Sequence, residues 1–142
     1  MLKFKTKIRV RYADTDKMHF VYNGKYLEYF EVGRTELLRN AGLPYSDLEK
    51  AGYQLPLIQA HVNYKFPAHY DDVLVVEATV SELYSAKVHI DYVVSIEKDN
   101  KLVATGYTDH MFIKEDTKRP TKPPQIYIDA LARYFQNSSD HS

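Results

Sequence analysis

The sequence predicts an α+β domain in which an antiparallel sheet of about five strands wraps one long helix, with a short helix at the C-terminal end. Three observations predict it. Residues 3–12 alternate strictly between basic and apolar or hydroxyl-bearing side chains, a single apolar helical stripe runs from Tyr26 to Ala41, and four more strand-like runs follow, joined by short connections.

The first strand carries Phe4, Thr6, Ile8, Val10 and Tyr12 on one face and Lys3, Lys5, Lys7, Arg9 and Arg11 on the other. Period-two alternation places one face inward and leaves the basic face in solvent. A polar loop over residues 13–22 leads to a helix expected over 23–41. There Tyr26, Phe30, Gly33, Leu37 and Ala41 share a stripe, with Leu27 and Leu38 beside it. Gly42 suits the C-terminal cap, and Pro44 stops continuation. Glu28 and Glu31 complement the helix dipole.

Four strands are expected next, over 57–66, 73–84, 87–98 and 101–113. In the third of these Val88, Ile90, Tyr92, Val94 and Ile96 point inward, and Asp99-Asn100 signals a hairpin turn. Strands joined by such short turns pair antiparallel. Lys114, Lys118, Arg119 and Lys122 lie in a proline-bearing connection, and a short helix is expected over 125–135, with Ile128, Leu131 and Phe135 at helical spacing. Residues 1–136 read as one domain and 137–142 as a flexible tail. A single sheet leaves its edges open, so a homo-oligomer, dimer or tetramer, is expected.

Composition narrows the function. With 19 basic and 19 acidic residues the formal net charge is zero, so there is no overall basic field for nucleic acid. The absence of cysteine removes thiol nucleophiles, disulfides and cysteine metal sites, and fits a reducing compartment. No segment approaches the ~20 apolar residues of a membrane span, and the charged start is not a signal peptide. A cytoplasmic location is expected. No Gly-x-Ser-x-Gly elbow and no glycine-rich phosphate loop occur. His61, His89 and His110 sit on strands without a second ligand at useful spacing, so no metal site is expected and no cofactor is called for.

The densest polar cluster is Asp14-Thr15-Asp16-Lys17-Met18-His19, just before the long helix. A loop of this length can fold Asp16 over the helix N-terminus, where unpaired backbone N–H groups carry partial positive charge. A carboxylate beside amide donors suits acyl transfer. Each donor aimed at the developing oxyanion contributes about 3–4 kcal/mol. The carboxylate attacks the acyl carbon or deprotonates an attacking water. Spacing alone leaves open a plain turn-capping role for either aspartate. Asp14 reads as structural, supporting the loop by accepting backbone hydrogen bonds.

The run Arg11-Tyr12-Ala13-Asp14-Thr15-Asp16, with Val21-Tyr22, Tyr26-Leu27, Phe30-Glu31 and 33–38, resembles the 4-hydroxybenzoyl-CoA thioesterase-like family. The match is closest to the branch of short bacterial acyl-CoA thioesterases found with Tol–Pal genes. The later run 64–72, Tyr-Lys-Phe-Pro-Ala-His-Tyr-Asp-Asp, matches as well, and the resemblance spans roughly residues 5–125. It implies a hotdog fold, an acyl-CoA substrate, and an active site at a dimer interface. It further implies Asp16 as the catalytic carboxylate and the backbone N–H of Asn23 as oxyanion donor.

Two positions depart from that pattern. Relatives carry Gly where this chain has His19, and often His where it has Asn23. His19 is therefore a candidate replacement imidazole, with a surface role as the alternative. Tyr22 and Tyr26 are candidate pocket walls, and Lys118 and Arg119 candidate contacts for the phosphates of coenzyme A. Alternative readings are an acyl-carrier-protein thioesterase and a non-catalytic hotdog that binds acyl thioesters.

Overall fold

The structure is a computed structural model and describes residues 1–139, with side chains to Phe135. Strand β1 (Leu2–Arg9) precedes helix α1 (Lys25–Asn40), a short helix α2 (Tyr45–Lys50) and the two-residue β2 (Tyr53–Gln54). Strands β3 (Leu57–Tyr64), β4 (Val73–Val80), β5 (Lys87–Ile96) and β6 (Leu102–Met111) follow, then β7 (Ile113–Lys114) and α3 (Gln125–Ser139). The five long strands form one antiparallel sheet in the order β1-β4-β5-β6-β3, and β2 pairs with β7 in a separate small sheet.

Alternation drives this arrangement. Leu74, Val76, Ala78 and Val80 of β4 and Val88, Ile90, Tyr92, Val94 and Ile96 of β5 are buried on the inner face. Helix α1 lies across them through Tyr26, Tyr29, Phe30, Gly33, Leu37 and Leu38. The Phe30 ring stacks flat on Tyr92, with centroids 4.2 Å apart. Gly106 makes room for it, because a Cβ there would sit 2.2 Å from the His61 carbonyl oxygen and 2.8 Å from the Phe30 ring. The helix ends as expected at Gly42, whose φ is +89°. The amide of Leu43 reaches back to the Leu38 carbonyl and that of Gly42 to Arg39, the paired closure that glycine at this position allows.

Several expectations are corrected. The four later strands do not form a simple meander: β3 pairs with β6 at the far edge, with Gln59 opposite Asp109 and Tyr64 opposite Ala104. The connection over 65–72 therefore runs across the end of the sheet to β4. Helix α2 and β2 occupy a stretch expected to be loop, and β7 straddles the end of the strand expected over 101–113. Leu27 is exposed, while Tyr29 takes a place in the core. Helix α3 continues to Ser139, into the first residues of the expected tail; residues 140–142 lie outside the described residues.

The inner face also holds a polar chain. His110 Nε2 lies 2.9 Å from the Thr108 hydroxyl, which lies 2.7 Å from the Tyr92 hydroxyl. Burial, with the nearby Arg34 charge, pushes the His110 pKa down to about 4, so its imidazole is neutral at pH 7. On the outer face His89 Nδ1 lies 2.6 Å from buried Asp109 and its Nε2 3.0 Å from Asp91. This cross-strand trio is invisible to sequence spacing, because β5 and β6 bring it together.

Candidate active site

The chain leaves β1 through a single 3-10 turn, Tyr12–Asp14, which buries Asp14. Its Oδ2 accepts from the Arg11 backbone N–H at 3.0 Å and from the Tyr29 hydroxyl at 3.0 Å. Its Oδ1 meets the Lys25 ammonium at 3.2 Å and the Arg11 guanidinium at 3.3 Å. Burial alone would raise this carboxyl's pKa. The Arg11 amide, Lys25 and Tyr29 together outweigh it and hold the pKa below its ordinary value. Asp14 thus ties the loop to the first turn of α1.

Two residues on, the environment reverses. Asp16 is exposed, and its Oδ1 accepts from the backbone N–H groups of Met18 at 2.9 Å and Phe20 at 3.3 Å. The Asp16 N–H donates to the Phe20 carbonyl and the His19 N–H to the Asp16 carbonyl, both at 2.9 Å. No group among the described residues bonds to Asp16 Oδ2. This tight loop puts His19 at φ 70°, the left-handed region where glycine is favoured. Isolated bridges, Thr15 to Val21 and Phe20 to His69, fasten the loop to its surroundings.

The helix begins where the loop ends. Gly24 stands at its N-cap with no side-chain cap, and Lys25 is its first residue, two residues later than expected. No acceptor among the described residues meets the backbone N–H of Asn23 or of Gly24. A Cβ on Gly24 would lie 2.8 Å from the Tyr22 ring, so glycine lets that ring close over the turn.

Asp16 and Asn23 line one cleft of about 230 Å³, walled by Tyr26, Tyr64, Phe66 and Phe20, with Lys65 at its rim. Tyr26 is 3% exposed, and burial pushes its hydroxyl up to about 12, so it stays a neutral wall. The Tyr64 hydroxyl donates to the Asn23 carbonyl at 3.1 Å. The cleft is therefore lined both by an exposed carboxylate residue and by Asn23, whose amide has no acceptor among the described residues, the two kinds of group that acyl transfer needs.

Of the residues singled out in the sequence, Asp16, Asn23 and Tyr26 meet here. His19 and Tyr22 are exposed and stand outside the cleft lining. Lys118 and Arg119 lie elsewhere in the chain. Lys118 has φ 58°, donates to the Gln54 side chain at 3.1 Å, and borders a separate 670 Å³ depression with Tyr53 and Lys114. Tyr64 and Phe66 were given no site role from sequence. The run from Tyr64 to Pro67 just past a strand is the signal that could have flagged them.

Three comparisons bear on this geometry. A family model described as the thioesterase-like superfamily matches residues 10–133. YneP of Bacillus subtilis (strain 168), provisionally named an acyl-CoA thioesterase, is 34% identical over 130 residues, covering 92% of this chain and 94% of that protein. The crystal structure of a DHNA-CoA thioesterase from Staphylococcus aureus superposes with a TM-score of 0.88 at 32% identity, covering 100% of this chain and 97% of that one. A 4-hydroxybenzoyl-CoA thioesterase crystallised with 4-hydroxybenzoyl-CoA, at 20% identity and a TM-score of 0.81, covers 92% of this chain and 99% of its own and shares the fold.

Proposed function

Because the chain belongs to the thioesterase-like superfamily, we propose that it hydrolyses an acyl-CoA thioester to the free carboxylic acid and coenzyme A. The observation that carries the reading is the cleft that Asp16 and Asn23 both line, with the Asp16 Oδ2 and the Asn23 amide each without a partner among the described residues.

In this reading the thioester carbonyl oxygen takes the amide at the helix start, which stabilises the tetrahedral oxyanion. Asp16 Oδ2 then acts in one of two ways. As nucleophile it bonds to the acyl carbon, the C–S bond breaks, coenzyme A leaves as thiolate, and water cleaves the acyl-enzyme anhydride. As general base it takes a proton from water as that water's oxygen adds to the same carbon; the tetrahedral adduct then collapses, the C–S bond breaks, and the departing coenzyme A thiolate takes up the proton. The two loop amides on Oδ1 orient the carboxylate and leave Oδ2 without a partner among the described residues.

The active form in this reading is a homo-oligomer built through β3. That strand is an eight-residue edge without a charged side chain, and it exposes Leu57, Ile58 and Tyr64. Edges that stay unpaired often carry lysine, which β3 lacks; its one register irregularity lies at its start, between Leu57 and Gln59, and leaves 59–64 regular. The reading also places the enzyme in the cytoplasm. Among the described residues no helix is long and apolar enough to cross a membrane.

A free-thiol release assay over aromatic and aliphatic acyl-CoA esters tests the activity. Turnover of at least one ester supports it, and no release from any of them rejects it. Sedimentation at micromolar concentration tests the assembly, with a monomer mass as the contrary result.

A further inference from the structure

We propose that Tyr64 is a positioning residue for the acyl-transfer step: its hydroxyl holds and polarises the Asn23–Gly24 peptide, so that the Gly24 amide joins that of Asn23 as an oxyanion donor. The inference rests on the thioesterase reading and adds to it a second donor and the residue that sharpens it.

The Asn23 carbonyl and the Gly24 N–H belong to one peptide unit. A hydrogen bond accepted by the carbonyl draws electron density toward oxygen and strengthens the N–H on the other side. The Tyr64 hydroxyl makes that bond at 3.1 Å. The helix's own claim on the same carbonyl is weak, because the Tyr26 N–H reaches it only at 3.4 Å. Tyr64 therefore supplies the better donor. The Gly24 N–H has no acceptor among the described residues, and Gly24 directly follows the cleft-lining Asn23, with the Tyr22 ring packed beside it.

The strands and helix fix this contact rather than leaving it to chance. Tyr64 is the last residue of β3, held in register opposite Ala104. Its ring stands edge-on to the buried Tyr26 ring, with centroids 5.5 Å apart. Tyr26 is itself a core residue of α1, so the sheet edge and the helix start are locked through two tyrosines. Tyr64 is half exposed in the single chain, and an acyl thioester seated in the cleft would cover it and remove competing water.

The test uses the whole protein and the acyl-CoA that the wild type turns over fastest. Tyr64→Phe keeps the ring contact and removes the donor. Its kcat is expected to fall about three- to ten-fold, the span of one net hydrogen bond, while KM stays within about two-fold. Fluorinated tyrosines placed at position 64, assayed below their own pKa values, make progressively stronger donors, and kcat should rise steadily along the series. A purely structural Tyr64 would not follow phenol acidity. An unchanged kcat in Tyr64→Phe, or a flat fluorotyrosine series, overturns the proposal. Both outcomes are separable from failure of the thioesterase reading. That reading fails if wild-type protein releases no thiol, and it stands if release is lost in Asp16→Asn whatever position 64 does.

Discussion

Asp14 and Asp16 are two residues apart on the same loop and do opposite work. Asp14 is 2% exposed and gives each carboxylate oxygen two partners. Asp16 is exposed, and only one of its oxygens is engaged, by two loop amides. A carboxylate whose lone pairs are all used is a structural tie. One held by a single oxygen, on a residue that lines a cleft, is left with a lone pair for another partner. Identical side chains thus acquire separate roles from the count and location of their partners, which residue type alone does not disclose.

Substitution at the two positions should separate the roles. Asp16→Asn is expected to lower kcat by about 10²- to 10⁴-fold, the range for a lost acid–base or nucleophilic group. Its stability should stay within about 0.5 kcal/mol, since the amide oxygen can still accept from Met18 and Phe20. Thiol release and thermal melting check this pair of outcomes. Asp14→Ala should reverse the pattern. It strands the buried Tyr29 hydroxyl, leaves Lys25 with Glu28 as its remaining partner, and should cost about 3 kcal/mol of folding stability, read by urea denaturation. A protein that melts normally without Asp14 would break the contrast.

Acid sharpens it further. The Asp14 pKa is lower folded than unfolded, so its contribution is fully present above about pH 4 and is lost as pH falls through the folded value. Asp14→Asn should flatten the acid limb of a stability–pH curve.

A smaller effect is expected at His19, which sits at φ 70°. His19→Gly relieves the left-handed backbone and should stabilise the protein by about 0.5–1 kcal/mol. The same variant removes the imidazole. Turnover at the parental rate would show that the ring carries no proton in the reaction, and a large loss of kcat would show that it takes part.

The smallest effect lies on the outer face. Burial lowers the His89 pKa, but the Asp109 and Asp91 carboxylates win and raise it. Its contribution is therefore fully present below pH 6.5, the ordinary value, and is lost as pH rises through the higher folded one. His89→Gln should remove that slope from melting curves recorded between pH 6 and 9.

Local patterns were legible in the sequence where a single period governed. Alternation marked β1 and β5, and the stripe from Tyr26 to Ala41 with Gly42 marked α1 and its end. Chain adjacency put a carboxylate loop beside a helix start, and the family resemblance singled out Asp16 and Asn23 there; that both line one cleft is a fact of the structure. Long-range pairing was not readable. The jump of β3 past β4 and β5 to β6 depends on how the sheet closes over α1, and no residue of β3 announces its neighbour. Tyr64 was missed for the same reason, since its partner Asn23 lies 41 positions away. The exposure of His19 and the separation of Lys118 from Asp16 likewise depend on tertiary placement, which the spacing of residues does not carry.

The most direct test of the central arrangement is a crystal structure of the Asp16→Asn protein with an unhydrolysed acyl-CoA. The thioester carbonyl oxygen should lie roughly 2.7–3.1 Å from a backbone N–H of Asn23 or Gly24, with the side chain of residue 16 facing the acyl carbon. A thioester bound with its carbonyl turned away from the start of α1, or seated outside this cleft, would contradict it.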